Sequence, residues 1–295
     1  MTTPLGDIPG PTSHTYISQR LRLRYVDWGN RDAPLLVLVH GGRDHSRNWD
    51  WMAEDLRRDW HVIAPDLRGH GDSDHSPDGN YRLESHVYDL AQLIHQQEVD
   101  TVSIVGHSFG GSIAIRYTGL YPEKVRRICS IEGLSLMPQE MAHRARTTAD
   151  ERMRDWIDEQ RQLSGRAPKR YTSIEEALQR MIAENRHLSQ ERARHLTAHG
   201  LMRNEDGTYS WKFDNYVRSF APVDMTPAEI HELWARITCP TLLIYGKQSW
   251  ATSPALDGRL DYFRNAKLSM YDDAGHWVHH DRHDAVLAEV RAFLA

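Results

Sequence analysis

Ser108 is the residue of this sequence best placed to do chemistry. It lies in TVSIVGHSFGGSIAIRY, where an apolar strand-like run ends at Gly106, a five-residue turn GHSFG follows and a helical pattern begins at once. That is G-x-S-x-G between a strand and a helix, a sharp turn that forces the serine into a strained conformation. Side chains at Gly106 or Gly110 would collide across it, so glycine is needed there. The hydroxyl of Ser108 is thereby lifted clear of the sheet to a helix start, where unpaired N–H groups and the helix dipole favour developing negative charge. The chemistry expected is nucleophilic attack on a carbonyl carbon. Serine is a weak nucleophile at neutral pH and needs an adjacent base that is itself oriented by an acid.

The elements that must position such a group follow from the apolar pattern. Arg20 to Trp28 (RLRLRYVDW) alternates polar and apolar residues, which predicts a half-exposed strand near a sheet edge. Leu35 to Val39, Val62 to Ala64, Val102 to Val105, Val125 to Ile131 and Thr241 to Tyr245 are short runs rich in branched residues, as strands buried on both faces require. Ser85 to Gln97 carries Val87, Leu90, Ala91 and Ile94 on one helical face, and DAVLAEVRAFL repeats that spacing at the C-terminus. Alternating strand and helix predict an α/β fold, a mostly parallel, doubly wound sheet with ligands at the carboxyl ends of its strands.

From Leu134 to about Ala235 the texture changes. No buried-strand run occurs, and HRARTTADERMRDWIDEQRQL, SIEEALQRMIAENRHL and SQERARHLTAHGLM read as charged amphipathic helices. The expected organisation is a core in two parts, residues 1–133 and 236–295, with residues 134–235 inserted as a helical cap or lid.

Composition narrows the classes. The 36 basic and 41 acidic residues leave a formal charge of −5, too mild to suggest a polyanion partner, so nucleic acid is not expected. Mean hydropathy is −0.64 and nowhere do eighteen apolar residues run together, so no membrane association is expected. The stretch MTTPLGDIPGPTSH lacks the basic start and apolar run of an export signal. Cys129 and Cys239 lie far apart in apolar surroundings and read as buried thiols, which suits a reducing, cytoplasmic setting. The partners expected are a small-molecule substrate and, at most, a second copy of the chain in a homodimer.

With these motifs in view, the chain resembles the α/β-hydrolase superfamily over nearly all of its length outside the insertion. Besides GHSFG, LLVLVHGG matches the superfamily's oxyanion loop, APDLRGHGDSD its loop after the next strand, and LSMYDDAGHWVHH the segment carrying its histidine. The resemblance implies an α/β-hydrolase fold with an inserted helical cap. It implies His276 as the base, and Gly42 and Phe109 as the backbone donors of an oxyanion hole, with Arg43 as the donor if the loop register differs by one. Such a donor contributes about 3 kcal/mol. Asp66, His70 and Asp72 are expected to stabilise their loop. His279, His280 and His283 crowd the base, but no H-E-x-x-H pattern accompanies them, so they read as solvated or capping residues and no metal site is expected.

The acid departs from the common pattern. Superfamily members usually carry Asp in a G-x-x-D setting after the penultimate strand, whereas LLIYGKQSW has Ser249 there. Some members, including certain haloalkane dehalogenases and thioesterase domains, take the acid instead from the strand after the nucleophile helix. Here VRRICSI ends directly at Glu132, which becomes the expected acid, with Asp257 and Asp272 behind it.

The resemblance thus implies a serine hydrolase, carboxylesterase-like, acting without metal or organic cofactor on an ester, thioester or lactone of a small to medium apolar substrate. A cofactor-independent lyase or oxygenase on the same fold, and a non-catalytic ligand-binding member, are the alternatives. Trp49 and Trp277 flank the site loops, and the insertion supplies Trp156, Met153, Tyr171, Met181, Trp211, Phe213, Tyr216 and Phe220. Of these Trp49, Trp277 and Trp156 are the expected substrate contacts.

Overall fold

The computed structural model describes residues 10–135, 137–219, 222 and 224–295. A hairpin opens the chain, β1 (Thr12–Ser18) antiparallel to β2 (Leu21–Asp27), and β2 runs antiparallel to β4 (His61–Pro65). The other strands of the main sheet are parallel: β3 (Leu35–Val39), β5 (Val102–His107), β6 (Val125–Ile131), β9 (Thr241–Gly246) and β10 (Ala266–Tyr271). The eight strands lie in the order β1-β2-β4-β3-β5-β6-β9-β10. Chain order therefore reverses at β3, whose neighbours are β4 on one side and β5 on the other. The crevice at such a reversal, outside the carboxyl ends of the strands, is where open α/β sheets hold their ligands.

The buried runs lie where they do because the sheet is covered on both faces. In β3, Leu35, Val37 and Val39 join one apolar cluster while Leu36 and Leu38 join the other, as the two-residue period of a strand requires. The first cluster is closed by α2 (Leu83–Gln96) and α3 (Phe109–Leu120), the second by α1 (Asp50–Leu56) and α10 (His283–Leu294). Each fully buried Leu, Ile or Val contributes about 1.5–3 kcal/mol. β1 leaves little apolar trace in the sequence: Thr12, Ser13 and Thr15 are polar and exposed on the sheet edge.

Between β6 and β9 come α4 (Pro138–Arg146), α5 (Ala149–Ser164), α6 (Ile174–Glu184), α7 (Gln190–Gly200) and α8 (Pro227–Ala235). The first charged segment is two helices, not one, because Thr147 ends the first run in extended backbone and Thr148 caps the second, its hydroxyl accepting from the Glu151 N–H while Glu151 reaches back to the Thr148 N–H. A short hairpin, β7 (Leu201–Arg203) with β8 (Tyr209–Trp211), stands where only helix was expected, since three-residue strands leave no periodic trace. α8 packs against α3 on the first apolar cluster. Ile230 and Trp234 belong to the first apolar cluster, and a Cβ on Gly119 of α3 would meet the Leu233 carbonyl at 2.6 Å. The last helical turn before α10 is α9 (Val278–Asp281). No helix among the described residues is long and apolar enough to cross a membrane.

Candidate active site

β5 delivers Ser108 with φ 51° and ψ −121°, the strained conformation that the turn requires. The flanking glycines are indispensable. A Cβ on Gly106 would lie 2.6 Å from the Gly110 carbonyl, and one on Gly110 would lie 2.3 Å from the His40 carbonyl. The Ser108 N–H is held by the Ile131 carbonyl at 2.8 Å, so the turn is anchored to β6 as well as to its own strand.

His276 follows β10, and its Nε2 lies 2.8 Å from Ser108 Oγ. Its Nδ1 lies 3.1 Å from Glu132 Oε2. Glu132 extends β6 by one residue, in the left-handed region at φ 54°, with its own N–H donating to the Ile244 carbonyl of β9. Its carboxylate is sealed from solvent and fully engaged: Oε1 accepts the Gly246 N–H at 2.6 Å, and Oε2 accepts the Ser249 hydroxyl at 2.5 Å. Ser249 thus occupies the usual acid position as a donor to the carboxylate supplied by the neighbouring strand. The other two candidate acids are committed elsewhere, Asp257 to Arg259 and the exposed Asp272 to Lys247.

Gly42 lies in the loop after β3, and a Cβ placed on it would approach the Phe109 Cβ at 3.9 Å. Phe109 opens α3, so its N–H is among the donors a helix start leaves unpaired. Arg43 follows at φ 61°, and all three residues border the cavity that contains Ser108. The cavity measures about 1840 Å³, and its far wall comes from the inserted helices.

Trp156 and Trp277 line this cavity, as do Tyr171, Met181, Trp211 and Phe213. Trp49 does not. The 3-10 turn Ser46–Trp49 carries its ring inward, where it is fully buried and stacked on His279 with centroids 4.8 Å apart, so its assignment as a substrate contact is corrected. Met153 is exposed, Tyr216 packs over Gly79, and Phe220 lies outside the described residues.

Two site residues escaped the sequence reading. His107 is buried, and burial followed by the nearby His279 and His276 holds its pKa well below the ordinary histidine value. A neutral ring facing a carbonyl must donate, so His107 Nε2–H fixes the His276 carbonyl at 2.9 Å. Trp250, next to Ser249, is exposed and lies 4.6 Å from the His276 ring between centroids. Its place immediately after the strand-end serine was the available signal.

Of the neighbouring histidines, His283 is half-buried with its Nδ1 3.1 Å from the His279 carbonyl, whereas the other two are not solvated, contrary to expectation. His279 and His280 are buried, and both direct Nε2 at the same amide oxygen of Asn48, at 2.8 and 3.1 Å. Burial, then the adjoining histidines for His279 and Arg192 for His280, hold both well below the ordinary histidine value. Donor atoms gather elsewhere: Asp50, His195 and His199 each offer one within 4.8 Å of the others, but Arg47 already holds both oxygens of Asp50 at 2.8 Å, and none of the three borders the cavity.

In the loop after β4, Asp66 is a structural hub, as expected. Burial alone would raise its pKa; Arg24, His40 and the N–H groups of Ser46 and Asp72 bring it down to about 2. His70 is buried beside it, its pKa pushed down to about 3 by burial and by His40, and Asp72 pairs with Lys212 and Arg24.

Known proteins bear on this geometry. The profile of a protein family described as alpha/beta hydrolase fold matches residues 34–283. A serine hydrolase-like protein of Danio rerio is 26% identical over 282 residues, 92% of this chain and 85% of that one. An esterase of Mycobacterium tuberculosis is 26% identical over 290 residues, 97% of this chain and 91% of that one. The solved thioesterase domain from the curacin biosynthetic pathway superposes with a TM-score of 0.82 at 22% identity, covering 96% of this chain and all of that one. With a family profile matching most of the chain and a sheet whose order reverses at β3, beside the strand that leads to Ser108, the protein belongs to the α/β-hydrolase fold family.

Proposed function

We propose that this protein hydrolyses a carboxylic ester or thioester through an acyl-enzyme on Ser108. The observation that carries the proposal is the unbroken hydrogen-bonded run from Ser108 Oγ through His276 to the buried Glu132 carboxylate. As Ser108 Oγ bonds to the carbonyl carbon, His276 Nε2 takes its proton and then passes it to the departing alkoxide or thiolate. Water repeats the sequence on the acyl-enzyme, and the proton returns to Ser108. Glu132 acts through His276, fixing its tautomer with Nδ1–H toward the carboxylate and balancing the positive charge that develops. The N–H groups of Gly42 and Phe109 take the oxyanion. The inserted helices serve as a lid, with Trp156, Trp250 and Trp277 against the apolar part of the substrate.

The names of the relatives, a serine hydrolase-like protein, an esterase and a thioesterase domain, support the same bond class. The buried unpaired thiols Cys129 and Cys239 suit a reducing, cytoplasmic setting. Turnover of p-nitrophenyl butyrate tests the reading. Ser108→Ala should lose roughly 10⁴-fold or more in kcat while keeping its Tm. Activity surviving in that variant would remove Ser108 as nucleophile.

A further inference from the structure

The inserted wall of the cavity is rich in arginine, and several of those side chains are already engaged. Arg144 donates to the Met225 carbonyl, Arg152 to the Thr147 carbonyl, and Arg180 pairs with Glu184. Among the described residues, no ion pair or hydrogen bond engages the guanidinium of Arg43, Arg166, Arg186 or Arg218, all on the same cavity, and three of these four act together. Arg218 closes the 3-10 turn Asn215–Arg218, with its guanidinium 5.2 Å over the Phe213 ring and its Nε buried without an acceptor. Arg166 is tied to the same turn, since Asn215 Nδ2 donates to its carbonyl at 2.9 Å. Arg43 comes from the other wall, directly after Gly42.

These cations act on one another. Burial first, then Arg43 and Arg166, lower the pKa of Arg218, with Glu184 alone opposing, and Glu184 is already shared with Arg180. A buried charged donor left unmade is costly, and like charges gathered in a partly enclosed space repel. An anion with two oxygens relieves both penalties, because a planar guanidinium fork matches carboxylate and phosphate geometry.

We propose that Arg43, Arg166 and Arg218 form a subsite for an anionic group of the substrate, a carboxylate or phosphate, so that the molecule cleaved at Ser108 carries negative charge apart from its scissile bond. The turnover arms of the test rest on the reading of Ser108 given above; the binding arm does not.

One arm compares mono-p-nitrophenyl glutarate with p-nitrophenyl butyrate, which places the anion on the acyl side. The other compares butyryl-coenzyme A with the butyryl thioester of N-acetylcysteamine, which places phosphate on the leaving group. In at least one arm the anionic member should be preferred by about tenfold or more in kcat/KM, mostly through KM, and the preference should weaken with added salt. Arg166→Met with Arg218→Met should abolish the preference, and Arg218→Lys, which keeps the charge but not the fork, should restore part of it. No preference in either arm, or one unchanged in the double variant, overturns the subsite. The binding arm uses Ser108→Ala and follows tryptophan fluorescence on titration with glutarate and with coenzyme A. Saturable quenching lost in the double variant supports the subsite even if no ester is turned over, which would refute only the nucleophile. Absence of saturable quenching by either probe overturns it.

Discussion

The two walls of the cavity are held by different physics. On the sheet side, backbone groups fix the polar atoms around Ser108: Gly246 N–H holds Glu132, the Ile131 carbonyl holds Ser108, and the His276 carbonyl is held by His107. Those backbone groups belong to strands whose register is set by two large apolar clusters, so the site inherits the rigidity of the sheet. On the inserted side little is buried. α4 has no buried residue, α5 has Leu163, and one satellite core consists of Leu178, Leu188, Ala193 and Leu196. Helix caps and exposed ion pairs such as Arg154–Asp150 and Arg170–Asp206 hold this wall, and an exposed pair contributes about 0–1 kcal/mol. On the proposed mechanism, bond-making geometry sits where the fold is costly to change, and substrate selection where it is cheap.

The largest expected effect tests the rigid wall. In Glu132→Gln the amide oxygen can still accept from Gly246, which leaves the amide NH₂ facing His276 Nδ1. That nitrogen must then accept, so Nε2 carries the proton and cannot take one from Ser108. A loss of roughly 10³–10⁴-fold in kcat is expected with little change in Tm. Moving the acid to the other strand end, Glu132→Ala with Ser249→Asp, should recover part of the lost rate, which a merely structural carboxylate would not do. Near-normal turnover in Glu132→Gln would break the claim that this wall carries the chemistry.

The rigid wall was also the more legible one in the sequence, for a physical reason. A G-x-S-x-G turn is dictated by local sterics, and the runs flanking it are apolar because both sheet faces are covered, so Ser108, the parallel sheet and the strand-end position of Glu132 could all be read without coordinates. Features set by tertiary contact could not. Trp49 stands near the oxyanion loop in sequence but is turned inward by one 3-10 turn. His279 and His280 look like solvent residues until Asn48, more than two hundred residues away, accepts from both. The split between α4 and α5 was written in Thr148 and Glu151, yet the helical charge pattern runs across it unbroken. The grouping of Arg43 with Arg166 and Arg218 was hidden because the three lie in distant segments of the chain that the fold brings to one cavity.

An intermediate effect comes from acid. Burial above all lowers His40 and His45 to about 4 and His70 to about 3, all on the sheet side, from an ordinary value of 6.5. Between those values the unfolded chain binds more protons than the native one, so this contribution is complete above pH 6.5 and is lost as pH falls toward 4. Asp44 works the other way: burial raises it to about 7, so its contribution declines as pH rises from 3.8 to 7. With the still lower His107, His279 and His280, these histidines outweigh one carboxylate, and a net loss of stability is expected as pH falls across the window. Thermal unfolding at about pH 7.5 and pH 5 should show the lower Tm in acid, with the near- and far-ultraviolet dichroism lost together because the affected groups lie in the sheet core. A Tm unchanged or higher at pH 5 would break this, and early loss of helical signal alone would shift the acid-sensitive region to the inserted wall.

The smallest effect asks how much the rigid wall depends on its last donor. Ser249 gives its hydroxyl to Glu132 Oε2, the oxygen that also faces His276, and is steadied in turn by the Ala251 N–H at 3.1 Å. In Ser249→Ala the carboxylate keeps its bond from Gly246 and its approach to His276, so the tautomer survives. What is lost is a hydrogen bond to a charged group, and the orientation of Oε2 with it. About a tenfold fall in kcat is expected, with KM unchanged because no substrate atom is touched. Ser249→Thr, which keeps the hydroxyl, should restore most of the rate. A loss as large as that of Glu132→Gln would mean that the carboxylate is misplaced without the serine, making Ser249 and Glu132 a single orienting unit drawn from two strands. No loss at all would mean that Gly246 and the β6–β9 register suffice, the strongest form of the claim that the sheet itself sets this site.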